Sequence, residues 1–139
     1  WDTHLALNLS APFYCCQLAA PRMRAHGRGS IINLLDIAAL RPEKGYVHYG
    51  ATKAGLESLT RGLAVEWAPT IRVNGIAPGA ALLPSGFSAQ ERAERIQRTP
   101  MGIEPGAAAI ADAIAFLVGG PKAITGAILP VDGGMSATW

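Results

Sequence analysis

The chain has 139 residues, 50% of them hydrophobic and 16% charged, which excludes a disordered segment and allows one domain at most. The formal net charge of +2 is too small to indicate nucleic acid or a membrane surface as a partner. No apolar run reaches the roughly 20 residues of a membrane-spanning helix, so no membrane partner is expected.

The amino-terminal part of the chain predicts a long helix followed by a buried strand. Residues from about 4 to 26 carry apolar side chains at helical spacing, with Pro12 and Pro21 inside the pattern. These prolines should bend or shorten the helix, because each lacks the amide proton that an interior turn needs. Residues 30–35 are mostly apolar and include two isoleucines, which is typical of a buried parallel strand.

The rest of the chain continues the alternation of helices and strands. The predicted elements are, in chain order, a loop over 36–45, a helix from about 46 to 67, a strand over 71–76, a polar helix from about 89 to 97, an apolar helix from about 105 to 118 and a strand over 125–131. Such alternation is typical of an α/β fold with a parallel sheet, here of three strands with crossover helices.

The predicted sheet is narrow and its first edge is apolar, which indicates that another strand belongs beside it. The chain also starts at Trp1, without a methionine, and its first residues already approach a helix. We therefore expect residues 1–139 to form a single partial domain that lacks its amino-terminal part.

Cysteine and histidine spacing excludes two common kinds of site. Cys15 and Cys16 are adjacent, and neighbouring residues of a helix point in different directions, so no disulfide is expected between them. Two free thiols are typical of the reducing environment of a cytoplasmic protein. The three histidines, His4, His26 and His48, are far apart in sequence, so no metal site is predicted.

Tyr49 and Lys53 form the motif with the most chemical content in this sequence. Residues four apart share one face of a helix, so the lysine ammonium is expected near the tyrosine phenol. A nearby positive charge favours the phenolate and should lower the pKa of Tyr49, which suits a residue that gives and takes a proton. Tyr46 is the rival tyrosine, but Gly50 stands four residues after it, so Tyr46 is expected to pack or to line a substrate wall.

This motif and its neighbouring blocks resemble the short-chain dehydrogenase/reductase family, in the order in which that family carries them. The blocks are Ser30–Asn33, Tyr49–Leu56, Ile71–Gly79, Ile124–Gly126 and Val131–Gly134. The resemblance implies that the chain is the carboxyl-terminal half of a Rossmann-type doubly wound parallel sheet. It also implies an oxidoreductase that uses a nicotinamide cofactor on a small-molecule substrate.

The resemblance implies a role for each matching position. Tyr49 would be the catalytic acid/base and would contact both cofactor and substrate, and Lys53 would assist it and bind the nicotinamide ribose. Asn8 would help to hold a water molecule in a proton relay. Pro78 and Gly79 would form the turn that lies against the nicotinamide.

The loop after Gly79 departs from the family, because many members carry a threonine there that binds the cofactor carboxamide. This loop starts at Ala80, so backbone groups would have to hold the carboxamide. Leu82, Leu83 and Pro84 would form an apolar wall for a flat substrate ring, and ordinary loop packing explains them equally well.

Asp36 is the second departure, because the family usually has a serine thirteen residues before the tyrosine. A carboxyl group in a half-buried, apolar setting can hold a proton for a ring nitrogen or pair with an amino-pyrimidine edge. The pteridine reductases show this substitution, and the chain resembles them in more than one place. The resemblance then implies an NADPH-dependent enzyme that reduces pterins or dihydrofolate, with Tyr49 and Asp36 as proton donors. An aspartate after a strand is also a common turn residue, and that interpretation stays open.

Two other functions stay open. The protein could be a reductase or dehydrogenase of another carbonyl or alcohol compound, with Asp36 as a polar substitute for serine. The isolated chain could also be a non-catalytic fragment, because it contains no Gly-x-Gly-x-x-Gly turn for the cofactor phosphates. The choice of NADPH therefore comes from the resemblance alone. In the family the two long helices pair between subunits, which implies a homotetramer for the complete protein.

Overall fold

The computed structural model describes residues 1–79 and 86–138, and its core is a three-stranded parallel sheet. The elements are α1 (Asp2–Leu5), a π-helical turn (Ala6–Ser10), α2 (Ala11–Ala25), β1 (Gly29–Leu34), a 3₁₀ turn (Ile37–Ala39), α3 (Val47–Glu66), β2 (Ile71–Pro78), α4 (Ala89–Gln97), α5 (Gly106–Gly119), β3 (Ile128–Val131) and a second 3₁₀ turn (Met135–Ala137). The predicted α/β class and the predicted order of elements are confirmed. No helix in these described ranges is long and apolar enough to cross a membrane.

The central strand of the sheet is β2, which pairs in parallel with β1 on one side and β3 on the other. In this register Leu34 at the end of β1 lies beside Ile76, and Pro78 at the end of β2 lies beside Val131. The three strands therefore end at one edge of the sheet. Nearly every residue of β2 is buried, as expected for a strand that is covered on both faces.

Helices cover both faces of β2 because successive side chains of a strand point to opposite sides. Val73 is fully buried against residues of α2 and α3. The adjacent Arg72 donates hydrogen bonds to the carbonyl oxygens of Leu117 and Val118, at the end of α5. It follows that α2 and α3 lie on one face of the sheet and α5 lies on the other.

The long amino-terminal helix passes through both of its prolines. Helical structure extends without a break from Asp2 to Ala25, and it opens into the π turn immediately before α2, where Pro12 is the second residue. A wider turn makes room for the proline ring, which would otherwise collide with the carbonyl four residues earlier. Neither proline ends the helix, so the expected shortening does not occur.

The third strand begins at Ile128, three residues later than predicted. The preceding segment is held to β2 by backbone hydrogen bonds, from the amide of Gly126 to Val73 and from the amide of Gly75 to Ala127, and also by a side chain. The Asn74 amide donates to the carbonyl oxygen of Ile124 over 3.1 Å, and its oxygen accepts from the amide of Ala127 over 3.0 Å. Asn74 is fully buried, so both of its hydrogen bonds are needed to satisfy groups that water cannot reach.

Candidate active site

The candidate site lies at the edge of the sheet where β1 and β2 end. Asp36 follows β1 by two residues, and Gly79 directly follows β2. Tyr49 lies in the first turn of α3, which begins after the loop from β1. Ligands of doubly wound sheets bind outside the carboxyl ends of the strands, so the residues from three separate elements meet where such a site is expected.

Asp36 is fixed in place by its own turn and by its two neighbours. Its backbone is extended, and its Oδ1 accepts a hydrogen bond of 2.8 Å from the amide of Ala38 at the start of the 3₁₀ turn. Leu35 and Ile37, on either side, are only 2% and 7% exposed and pack against Leu56 of α3. This packing leaves the half-buried carboxyl group little freedom to move.

The second carboxylate oxygen of Asp36 accepts a hydrogen bond from the phenol of Tyr49. The distance between Tyr49 Oη and Asp36 Oδ2 is 2.9 Å. The structure thus brings the two predicted proton donors into direct contact, although thirteen residues separate them in sequence. A hydrogen bond to an ionised partner is shorter and stronger than one between neutral groups.

The pKa of Tyr49 is raised well above its usual range. Burial of the phenol is the main cause, and the negative charge and hydrogen bond of Asp36 act in the same direction. The Lys53 ammonium lies 5.7 Å from the centroid of the Tyr49 ring, but the pKa of Tyr49 is raised and not lowered, so the expectation of a lowered pKa is wrong. Tyr49 is therefore held as a neutral phenol, which is the form that donates a proton.

Lys53 lies one turn after Tyr49, as the spacing predicts, but its partner belongs to the sheet. Its Nζ donates to the carbonyl oxygen of Leu34 over 3.0 Å, at the end of β1. Burial lowers the pKa of Lys53, and the charge of Asp36 partly opposes that effect. An ammonium has three N–H donors, so two remain for acceptors beyond the described part of the chain.

Asn8 is linked to the backbone of Tyr49 through the hydroxyl of Thr52. Its Nδ2 donates to the hydroxyl of Thr52 over 3.2 Å, and that hydroxyl donates to the backbone carbonyl of Tyr49 over 2.8 Å. Thr52 is buried, so this chain of hydrogen bonds ties the π turn to the start of α3. The role of Asn8 in holding a water molecule stays a prediction.

The turn after β2 is the third predicted part of the site. Pro78 is buried at the end of the strand, and the amide of Gly79 donates to the carbonyl oxygen of Val131 over 3.1 Å. A Cβ atom on Gly79 would lie 2.8 Å from the Cβ of Asp132, so only glycine fits this approach. The predicted contributions of Ala80, Leu82 and Leu83 lie outside the described residues.

A cavity of about 570 Å³ opens beside Asp36 and Tyr49. Its lining consists of Asp36, Ile37, Ala38, Arg41, Pro42, Glu43, Tyr46, Tyr49, Gly79, Phe87, Arg95, Arg98 and Met135. This volume suits a drug-sized ring compound, because small-molecule sites are typically about 300–1,000 Å³. Tyr46 lines the cavity, which agrees with its interpretation as a possible substrate wall.

Several lining residues were not identified from the sequence. Three of them are arginines. Arg41 lies in the loop before α3, Arg95 lies in α4, and Arg98 directly follows that helix. No local sequence pattern connects these arginines to Tyr49. The available signal was the spacing of Arg95 and Arg98, which places two arginines on adjacent turns of one helix face. In the described ranges, no three His, Cys, Asp or Glu side chains cluster in a way that could hold a metal ion.

Two histidines also lie near the site. The rings of His4 and His48 are packed edge to face with centroids 4.5 Å apart, and the centroid of His4 is 6.3 Å from that of Tyr49. These contacts connect α1 to the start of α3, beside the contact that Asn8 makes. The amino-terminal helix therefore supports the first turn of α3 at two places.

The chain is similar to known proteins over nearly its whole length. The family described as enoyl-(acyl carrier protein) reductase matches residues 1–136. The chain is similar to cis-4-hydroxycyclohexanecarboxylate dehydrogenase of Sinomonas cyclohexanicum, at 38% identity over 99% of this chain and 57% of that protein. It is similar to pteridine reductase 1 of Leishmania tarentolae, at 40% identity over 94% of this chain and 48% of that protein.

Solved structures give the same result for the fold. The crystal structure of FolM alternative dihydrofolate reductase 1 from Brucella suis, in complex with NADP, superimposes with a TM-score of 0.91 at 26% identity. The match covers 100% of this chain and 56% of that one. The chain thus spans about half the length of the relatives that it matches.

Proposed function

The chain belongs to the short-chain dehydrogenase/reductase family, and on that premise we propose that the complete protein is an NADPH-dependent reductase of pterins or dihydrofolate. The hydrogen bond of 2.9 Å between Tyr49 and Asp36, at the wall of the cavity, carries the proposal. A serine in place of Asp36 would offer only a hydroxyl, whereas a carboxyl group can also store a proton for a ring nitrogen.

A nicotinamide cofactor fits the residues at the end of the sheet. Lys53 has N–H donors to spare for ribose hydroxyls, and Pro78 and Gly79 occupy the end of a central parallel strand, where dinucleotides bind. When bound, the cofactor supplies the hydride. The choice of NADPH over NADH follows the pteridine reductases and is supported by the similar structure that contains NADP.

Tyr49 is the proton donor in the proposed reduction. Its raised pKa keeps the phenol protonated at neutral pH, so Oη can give its proton to a substrate nitrogen or oxygen that gains negative charge. The resulting phenolate would lie near the Lys53 ammonium, whose charge favours it. Asn8 would hold a water molecule that returns a proton to this pair.

Asp36 would recognise the substrate as well as exchange a proton. An amino-pyrimidine presents an exocyclic N–H and a ring nitrogen side by side, and a carboxyl group has two oxygens at matching separation. In the described arrangement both oxygens of Asp36 accept hydrogen bonds, from Ala38 and from Tyr49. A bound pterin would therefore have to replace the Tyr49 bond. Leu82 and Leu83 would form the wall against the flat face of the ring.

The test is an NADPH oxidation assay on the full-length enzyme with dihydrobiopterin, dihydrofolate and simple cyclic ketones. Asp36→Ser is expected to lower pterin turnover by at least about 100-fold, because positioned proton transfer contributes about 10²–10⁴-fold. The same variant should keep its ketone activity, since Tyr49 is intact. A parent enzyme that reduces simple ketones and neither pterin would contradict the proposal.

A second candidate is a reductase or dehydrogenase of another carbonyl or alcohol compound. The similarity to a hydroxycyclohexanecarboxylate dehydrogenase favours it, because that match is about as strong as the match to pteridine reductase 1. Tyr49 and Lys53 suffice for this chemistry, and Asp36 would then act only through its hydrogen bond. Oxidation of cyclic hydroxy acids by the full-length enzyme, without pterin reduction, would support this candidate.

The isolated 139-residue chain is proposed to be inactive, because no phosphate-binding glycine turn occurs in its sequence. Tight NADPH binding by this chain in a fluorescence titration would contradict that view. The complete protein is proposed to be a cytoplasmic homotetramer. Leu18 of α2 and Val65 of α3 are 77% and 82% exposed, as expected for helix faces that pair with another subunit. A monomer in sedimentation would contradict the tetramer.

A further inference from the structure

The charged side chains that line the cavity beside Tyr49 are mostly arginines. Three arginines, Arg41, Arg95 and Arg98, line it, together with two carboxyl groups, Asp36 and Glu43. These five side chains leave an excess of one positive charge. Such an excess in a partly enclosed site attracts an anion, because fewer water molecules screen the charges there than on an open surface.

Two of the three arginines are already engaged. Arg41 donates hydrogen bonds to the carbonyl oxygen of Met135 and, over 2.9 Å, to the hydroxyl of Thr138. Both acceptors are uncharged, so Arg41 holds the carboxyl-terminal turn against the cavity but keeps its charge uncompensated. Its donors are largely committed to that structural contact.

Arg95 is engaged in a different way. It forms an ion pair of 2.9 Å with Glu43, and its guanidinium carbon lies 5.5 Å from the ring centroid of Phe87. These contacts attach α4 to the loop after β1 and fix the direction of the helix end. A partly exposed ion pair of this kind contributes little to stability, so its main effect is on position.

Arg98 is the cationic residue of the cavity lining that has no partner within residues 1–79 and 86–138. It follows the last residue of α4 and lies one turn after Arg95, on the same face of the helix. Its side chain is exposed, so the guanidinium is at the rim of the cavity and its donors face water. Arg98 at the rim and Arg95, which Glu43 holds in place, could together bind the far end of a long substrate.

We propose that Arg98, with Arg95 beside it, binds a carboxylate on the substrate, at the end opposite the ring that is reduced. The proposal rests on the proposed function and refines it, because dihydrofolate carries a glutamate tail whereas dihydrobiopterin carries a short neutral side chain. A guanidinium offers paired donors in a fork that matches a carboxylate. The excess of one positive charge in the lining suits a carboxylate better than a phosphate dianion.

The decisive experiment compares Arg98→Gln with the parent full-length enzyme on these two substrates, which share the reacting ring. The KM for dihydrofolate is expected to rise by about 3- to 5-fold, because an ion pair at an exposed rim is worth up to about 1 kcal/mol. The kcat for dihydrofolate and both constants for dihydrobiopterin should stay within about two-fold, since the removed contact is distant from the reacting atoms.

Two further variants separate charge from structure. Arg98→Lys keeps the charge and loses the fork, so its KM for dihydrofolate should lie between those of the parent and Arg98→Gln. Arg28→Gln removes an exposed arginine from the turn before β1, and it should leave both substrates unaffected. Added salt should raise the KM for dihydrofolate in the parent and have little effect in Arg98→Gln.

A binding measurement keeps this inference separate from the proposed function. Calorimetry with p-aminobenzoylglutamate, the tail of dihydrofolate without its reducible ring, needs no turnover. Weak binding by the parent that is lost in Arg98→Gln supports the inference, even if the enzyme reduces neither pterin and the proposed function fails. No binding by the parent, or KM changes that are equal for both substrates, would overturn it while leaving pterin reduction intact.

Discussion

Replacing Asp36 by asparagine removes a negative charge from the partner of Tyr49 and changes little else. Asparagine is a good residue for the start of a helical turn, so its side-chain oxygen can still accept the 2.8 Å bond from the Ala38 amide. The amide group then faces Tyr49 and donates to the phenol oxygen. Both changes favour the phenolate, so the pKa of Tyr49 is expected to fall.

The size of this fall follows from the geometry. Tyr49 Oη lies 2.9 Å from the carboxylate oxygen, and a hydrogen bond to an ionised partner is worth about 1.5–3 kcal/mol. About 1.4 kcal/mol corresponds to one pH unit in a pKa. Because the phenol is only half-buried and solvent screens the interaction, we expect the lower end, about one pH unit. Burial, the larger cause, should still keep the pKa above its ordinary value.

The assay is a spectrophotometric titration of phenol ionisation in the full-length protein. Subtracting the titration of the matching Tyr49→Phe protein isolates this tyrosine from every other tyrosine of the protein. In the alcohol-oxidation direction, where Tyr49 acts as a base, the rise of kcat with pH should move to lower pH by the same amount. Asp112→Asn, which removes an exposed carboxylate on α5, is the control and should shift neither curve. An unchanged or higher pKa of Tyr49 in Asp36→Asn would refute the reasoning.

Three further predictions follow from single contacts. Tyr49→Phe should lower kcat by about 10²–10⁴-fold, because it removes the proton donor, and circular dichroism should show an unchanged fold. Asn74→Ala should lower the free energy of unfolding in urea by about 2–4 kcal/mol, because two part-buried backbone groups before β3 lose their partners, whereas Gln17→Ala on the exposed face of α2 should have almost no effect. Burial would raise the pKa of Asp132, but hydrogen bonds from Ser136 and the rest of its turn lower it overall. The stability that this carboxylate contributes is therefore present at neutral pH and lost as the pH falls through its folded-state value, and Asp132→Asn should flatten that acid dependence in urea titrations at several pH values.

Local sequence patterns were enough to predict most of the elements. The apolar spacing of the helices and the short β-branched runs of β1 and β2 act within a few residues, so the class and order of elements could be predicted. The position of Tyr49 and Lys53 one turn apart is also local, because the helical repeat alone places them on one face. The boundary of β3 was less certain, because the segment before it is bound to β2 by the Asn74 side chain as well as by the backbone.

The details of the candidate site depend on contacts between distant parts of the chain. Asp36 was placed by resemblance, but its hydrogen bond with Tyr49 and the resulting rise in the pKa of that phenol were not expected. The same holds for Lys53, whose ammonium donates to a carbonyl oxygen at the end of β1. These outcomes depend on how the end of β1 is fixed relative to α3.

The sequence by itself determined which segments are helices and strands and which residues could carry proton chemistry, because those properties follow from side-chain spacing and type. Only the tertiary structure decided that the neutral phenol of Tyr49 is favoured and that Lys53 donates to a carbonyl oxygen of β1. It also decided which arginines line the cavity. Burial and the approach of charges from other elements set these properties, and both arise only when the helices have packed on the sheet.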